Sequence, residues 1–159
     1  MYKCAFILLI GSFILFACNK DEKNNNTSNT HLNICSTSLH ELTIDGVDNA
    51  IVEDTSYALN TSFYTLHTVK SGLGCSFDFG TPSYPAAGNY SITSSFTDVN
   101  KSNNKVYIEL FINGTSFRAQ SGTVIVTGIG NAAIVEFCKV QFKNSLDTSH
   151  QVSLKSTIY

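Results

Sequence analysis

From His31 onward, short apolar runs alternate with polar clusters, and no stretch sustains the 3.6-residue period of an amphipathic helix. β-Branched and aromatic residues fill the runs; Gly, Asn, Ser and Asp separate them. The pattern predicts strands over 32–36, 42–45, 50–53, 62–70, 73–79, 89–95, 105–112, 116–119, 123–127, 132–143 and 151–158. Strands recurring about every ten residues suit a single antiparallel β-sandwich, with an up-and-down β-barrel as the alternative.

Two hairpins can be given a register. Ser71-Gly72 reads as a two-residue turn that pairs Lys70 with Leu73. Regular pairing then sets Tyr64 opposite Phe79, Leu66 opposite Phe77 and Thr68 opposite Cys75 on an apolar face. The polar face carries Thr65 with Asp78 and His67 with Ser76. A second hairpin turns near Gly128-Ile129-Gly130-Asn131, so Val124 and Val126 share a face with Val135 and Phe137. Val140 and Phe142 fall on the wrong parity for that face, and a bulge near Cys138-Lys139, or a strand that changes sheets, would reconcile them. The last strand sets Val152, Leu154 and Ile158 on one side.

The N-terminal pattern is different. After Lys3, an apolar run extends from Cys4 to Phe16, too short to span a bilayer as a helix and suited to an export signal. Leu15-Phe16-Ala17-Cys18 resembles the lipobox of bacterial lipoproteins, which implies cleavage after Ala17 and acylation (palmitate among the chains) of Cys18. Asn19-Lys20-Asp21-Glu22-Lys23 resembles the surface-export tag of lipoproteins in Bacteroidota-type bacteria. Lys20, Asp21 and Glu22 would then direct the protein to the outer leaflet of the outer membrane, facing the cell exterior. The expected organisation is a signal peptide over 1–17, lipidated Cys and polar tether over 18–30, and one β domain over 31–159. Within that domain, Ala87-Gly88-Asn89-Tyr90-Ser91-Ile92, Phe117-Arg118-Ala119 and Ser121-Gly122-Thr123-Val124 resemble a pattern in uncharacterised Bacteroidota lipoproteins. That resemblance spans residues 82–143 and implies a small β-sandwich without catalytic residues to carry over.

Composition narrows the function classes. The chain has 159 residues, 43% hydrophobic and 14% charged, with a net charge of −2. It can build one real core, and it lacks the basic footprint of a nucleic-acid partner. Beyond Cys4 and Cys18, three cysteines remain, an odd number in an oxidising compartment. The candidate bridge is Cys75–Cys138, set against buried free thiols. Their spacing forms no compact metal motif, and neither a metal nor a cofactor is expected.

No nucleophile elbow, zinc-protease helix, P-loop or dinucleotide fingerprint occurs. A Cys75–His67 dyad fails because the expected register separates them onto opposite faces. Asp45-Gly46-Val47-Asp48 reads as a turn before it reads as a calcium loop. Glu109 and Glu136 stand in apolar strands, with nothing to bring them together as a glycosidase pair. The binding candidates are aromatic: Tyr57 and Tyr84, each expected in a loop, where a ring can stack on a sugar or anchor a protein. The expectation is a membrane-anchored, non-enzymatic module with a glycan or protein ligand. The alternatives are a lipocalin-like carrier of an apolar ligand, or an inhibitor or immunity lipoprotein.

Overall fold

The computed structural model describes residues 35–59, 62–99 and 104–159. The expected signal segment over 1–17, Cys18 and the expected tag residues Lys20, Asp21 and Glu22 lie outside the described residues. The domain is all-β. Its strands are β1 (Glu41–Ile44), β2 (Val47–Ala50), β3 (Glu53–Leu59), β4 (Ser62–Lys70), β5 (Leu73–Asp78) and β6 (Gly88–Thr93). A short helix, α1 (Phe96–Val99), precedes β7 (Lys105–Ile112), β8 (Thr115–Ala119), β9 (Thr123–Thr127), β10 (Ile134–Lys143) and β11 (Ser149–Thr157).

Hydrogen bonding joins the strands in the order β2-β1-β11-β10-β9-β6-β7-β5-β4-β3. β8 pairs with both β7 and β10. The sheet therefore folds over into two layers, β3-β4-β5-β7 and β2-β1-β11-β10, bridged by the β6–β9 pair and by β8. Among the described residues every pairing is antiparallel except β6–β7, which runs parallel through a connection containing α1. A purely antiparallel sandwich is corrected on that one pair.

The core lies between the layers. Phe77, Phe79, Phe137 and Phe142 are all within 1% exposure, and Phe77 meets Phe79 at 6.0 Å and Phe137 at 5.8 Å between ring centroids. Phe137 meets Phe142 at 5.9 Å, and Phe79 meets Tyr90 edge-on at 5.2 Å. Such buried aromatic pairs add attraction beyond their area.

β4, β7 and β9 match their predicted spans. The β9–β10 hairpin and its bulge also follow the pattern: the β10–β11 register shifts between Phe137 and Val140, where Lys139 takes φ 49°. That extra residue returns Val140 and Phe142 to the core beside Phe137. Two predictions fail near the N-terminus. No strand includes Cys35 or Ser36, and the strand expected over 50–53 is the junction between β2 and β3. β2 exists because Asp45-Gly46, at φ 51° and 82°, makes the two-residue turn that pairs Ile44 with Val47.

The β4–β5 register is also corrected. Lys70 pairs with Leu73 as expected, but the register shifts between Thr68 and Lys70. Beyond that bulge, Tyr64 faces Asp78, Thr65 faces Phe77, Leu66 faces Ser76 and His67 faces Cys75. Gly74 belongs to the same irregularity: a Cβ there would lie 2.8 Å from the His67 carbonyl oxygen. One extra residue exchanges the faces of β4. Thr65 and His67 turn inward to 1% and 0% exposure, while Tyr64 and Leu66 turn outward.

Candidate binding face

The outward turn of β4 builds a face that polar–apolar alternation did not anticipate. Register places Tyr57 of β3, Tyr64 of β4, Asp78 of β5 and Tyr107 of β7 in one row on the outer side of their layer, open to solvent at Tyr57 and covered at Asp78 and Tyr107, which are 2% and 8% exposed. Tyr57 stacks on Tyr64 with centroids 5.4 Å apart and planes 20° from parallel. At the far end, Phe96 of α1 meets Tyr107 edge-on at 5.7 Å. The adjoining row holds Thr55, Leu66, Ser76, Glu109 and Arg118, from β3 to β8. A solvent-facing sheet surface is ordinarily polar; this one carries aromatic rings beside hydrogen-bonding groups.

Glu109 organises the second row. Its Oε1 accepts from the Tyr107 hydroxyl at 2.7 Å and the Ser116 hydroxyl at 3.1 Å, and lies 3.6 Å from Arg118 Nε. Burial, then the Glu109 carboxylate, pushes the Tyr107 phenol well up. Burial also raises Tyr64; its hydrogen bond with Ser62 opposes this, and the Asp78 carboxylate adds to it. Both tyrosines therefore stay neutral hydrogen-bonding groups at physiological pH.

Tyr57 is 51% exposed, as a binding aromatic should be, but it stands on edge strand β3 and not in a loop. Tyr84 does lie in a loop, 40% exposed. Its ring packs 4.6 Å from Phe63, whose buried side chain points to the opposite side of β4 from Tyr64. The two candidates therefore belong to different surfaces. Tyr64, Glu109 and Arg118 complete the Tyr57 face, and only the bulge-dependent register reveals them together.

A second cluster has catalytic residue types but not catalytic access. His67 donates from Nδ1 to Asp54 Oδ1 at 2.5 Å, leaving Nε2 to pair with the Thr65 hydroxyl at 3.3 Å. His40 Nδ1 lies 3.0 Å from Asp54 Oδ2, and the Ser156 hydroxyl lies within 3.0 Å of both carboxylate oxygens. Burial by itself would raise the Asp54 pKa; the hydrogen bond and charge of His67, then Ser156 and His40, outweigh it and hold Asp54 below 3.8. The order Asp54–His67–Thr65 follows that of a nucleophilic triad, yet His67 and Thr65 are shut off from solvent. His40 uses one ring nitrogen toward both Asp54 and Ser156, so it cannot relay a proton between them. The cluster instead clasps β3 and β4 to β11 and the segment before β1.

The disulfide joins Cys35 to Cys138, with Cα atoms 5.5 Å apart, and not Cys75 to Cys138. Cys75 is a fully buried free thiol on the inner face of β5, directly opposite His67. Burial pushes its pKa far up and leaves it unreactive. Cys138 instead follows Phe137 at the β10 bulge, on the outer side with Glu136. Glu136 Oε1 accepts from the Cys35 amide at 2.9 Å, and its other oxygen lies 3.5 Å from Lys155 Nζ. Cys35, Glu136 and Cys138 converge within 4.8 Å, but sulfurs bonded to each other offer no thiolate to a metal. Among the described residues, Glu109 and Glu136 share no partner. In the β1–β2 turn, Asp45 accepts from His150 at 2.6 Å and the Gln151 amide at 2.8 Å, and Asp48 accepts from Thr43. Those carboxylates are engaged by their own neighbours.

The chain matches no protein-family model, no curated protein and no solved structure.

Proposed function

We propose that this protein is a surface-anchored lipoprotein whose β domain is a non-enzymatic binding module, acting through the Tyr57–Tyr64 face. The observation that carries the reading is the stacked tyrosine pair on the outer side of the β3-β4-β5-β7 layer. The position of Cys35 supports it. The chain following the Cys18 lipobox and the Lys20-Asp21-Glu22 tag enters the domain at Cys35, which is bridged to the outer side of β10 in the other layer. The bridge and the tyrosine face therefore lie on different layers of the domain, so the bridge does not cover the face. The shielding of Thr65 and His67 supports a module without catalysis. The mutual packing of the core phenylalanines favours a filled interior over a lipocalin-like cavity.

Two measurements test this together. Protease added to intact cells should remove the protein while a periplasmic control survives; protection until the outer membrane is broken overturns the surface reading. Acylated full-length mature protein, immobilised by its anchor, should capture a component of cell-envelope or extracellular-matrix extracts. Tyr57→Ala should lower that capture about ten-fold, the scale of a lost aromatic contact. Undiminished capture by the variant removes the face from the account.

A further inference from the structure

We infer that the ligand of this face is an extended, uncharged polysaccharide lying across the strands, from Tyr57 on β3 to a groove beside β8. The inference rests on the binding reading above and specifies its ligand class. The route is continuous in register: Tyr57 and Tyr64 at one end, then Leu66, Ser76 and Glu109, then Arg118. Four inter-strand steps separate β3 from β8, about 19 Å at ~4.8 Å per step. Arg118 and Ser116 also line a groove of about 720 Å³ formed with Gln120, Lys143, Asn144 and Asp147. The path therefore does not stop at the sheet edge.

Each part of the path suits a sugar. The stacked tyrosine offers a flat apolar surface to one pyranose face. The Ser76 hydroxyl, the Gln120 amide oxygen, the Asn144 amide nitrogen and the Glu109–Arg118 pair offer donors and acceptors to a rim of hydroxyls, while the Gln120 amide nitrogen and the Asn144 amide oxygen are taken by backbone groups of Arg118 and of Leu146 and Thr148. Charge selects against ionic polymers: Arg118 is matched by Glu109 at 3.6 Å and Lys143 by Asp147 at 3.8 Å. The exposed rings stand apart, Tyr57 at one end and Phe96 at the other, with Asp78 and Tyr107 buried between them at 2% and 8% exposure. They do not merge into the continuous apolar centre that a protein partner would bury.

The test is a binding series on the acylated full-length mature protein in detergent. The probes are neutral β-linked glucan, mannan and xylan polymers with their di-, tetra- and hexasaccharides, and a uronic-acid polymer as the charged comparison. At least one neutral series should bind, with affinity rising at least ten-fold from disaccharide to hexasaccharide. Tyr57→Ala should weaken every length about ten-fold. The double variant Arg118→Ala/Gln120→Ala should weaken only the longer oligomers, several-fold, with an unchanged circular dichroism spectrum. Equal affinity for disaccharide and hexasaccharide overturns the extended path and leaves the tyrosine face standing. Binding of the uronic-acid polymer alone overturns the uncharged class. Failure of every glycan while extract capture still depends on Tyr57 overturns this inference and not the reading beneath it. Glycan binding indifferent to Tyr57→Ala overturns both.

Discussion

The two faces of β4 make opposite use of polar and aromatic side chains. Inward, Thr65 and His67 are buried and paired with each other and with Asp54, residues whose types suggest chemistry and whose burial denies it. Outward, Tyr64 supports Tyr57, a residue type that is often mere packing but here is 51% exposed. A serine–histidine–aspartate inventory would choose the inner cluster as the active centre. Access reverses the choice: a buried polar group must be hydrogen-bonded for the fold to persist, whereas an exposed ring contributes little to stability.

The two faces should respond unequally to damage. The largest effect is expected from the disulfide. Cys35 and Cys138 lie 103 residues apart, and opening a loop of that size removes about 4.7 kcal/mol in the chain-entropy account. Denaturant unfolding of Cys138→Ser, or of wild type under reductant, should show a loss of that order, and no loss would mean the bridge is dispensable. Cys75, by contrast, should resist alkylation in the native state and react only on unfolding.

The inner clasp comes next. His67→Ala leaves Asp54 without its closest partner and should cost about 3 kcal/mol by chemical denaturation. Its pH signature has a defined sign. Because the folded state holds Asp54 below 3.8, its contribution is complete above that pH and is lost as pH falls below it through the folded value. Asp54→Asn should flatten the acid limb of the stability curve, and an unchanged limb would show that other carboxylates set it. On the outer face, Tyr57→Ala should change stability by no more than about 0.5 kcal/mol, as surface substitutions do. A larger loss in thermal unfolding would make the stacked pair structural.

What could be read from the chain divides along the same line. β4, β7, β9 and the bulge at Cys138-Lys139 were legible because alternating Val, Ile and Phe must reach one core, and a parity break announces the extra residue. The bulge between Thr68 and Lys70 was not legible, because Thr-Leu-His-Thr offers either face an acceptable mixture. That one residue misplaced His67 and concealed Tyr64. β3 escaped for a related reason: its inward positions, Asp54 and Ser56, are polar, and Asp54 is satisfied by Ser156, 102 residues away. The odd cysteine count was informative, but pairing depends on where the segment before β1 crosses β10. Tyr57 could be chosen as a binding residue only through its expected place in a loop, where the structure has β3. Its partnership with Tyr64, Glu109 and Arg118 is a property of pairing across five strands.

The most direct test sets the two faces against each other in one experiment. Wild type, Tyr57→Ala and His67→Ala would be compared for thermal unfolding and for retention of the best-binding neutral glycan or envelope extract. The account predicts that Tyr57→Ala unfolds with wild type but loses about nine-tenths of its binding. It predicts that His67→Ala melts well below wild type yet binds normally at temperatures where it is folded. Full binding by Tyr57→Ala, or loss of binding by folded His67→Ala, would contradict the assignment of function to the outer face.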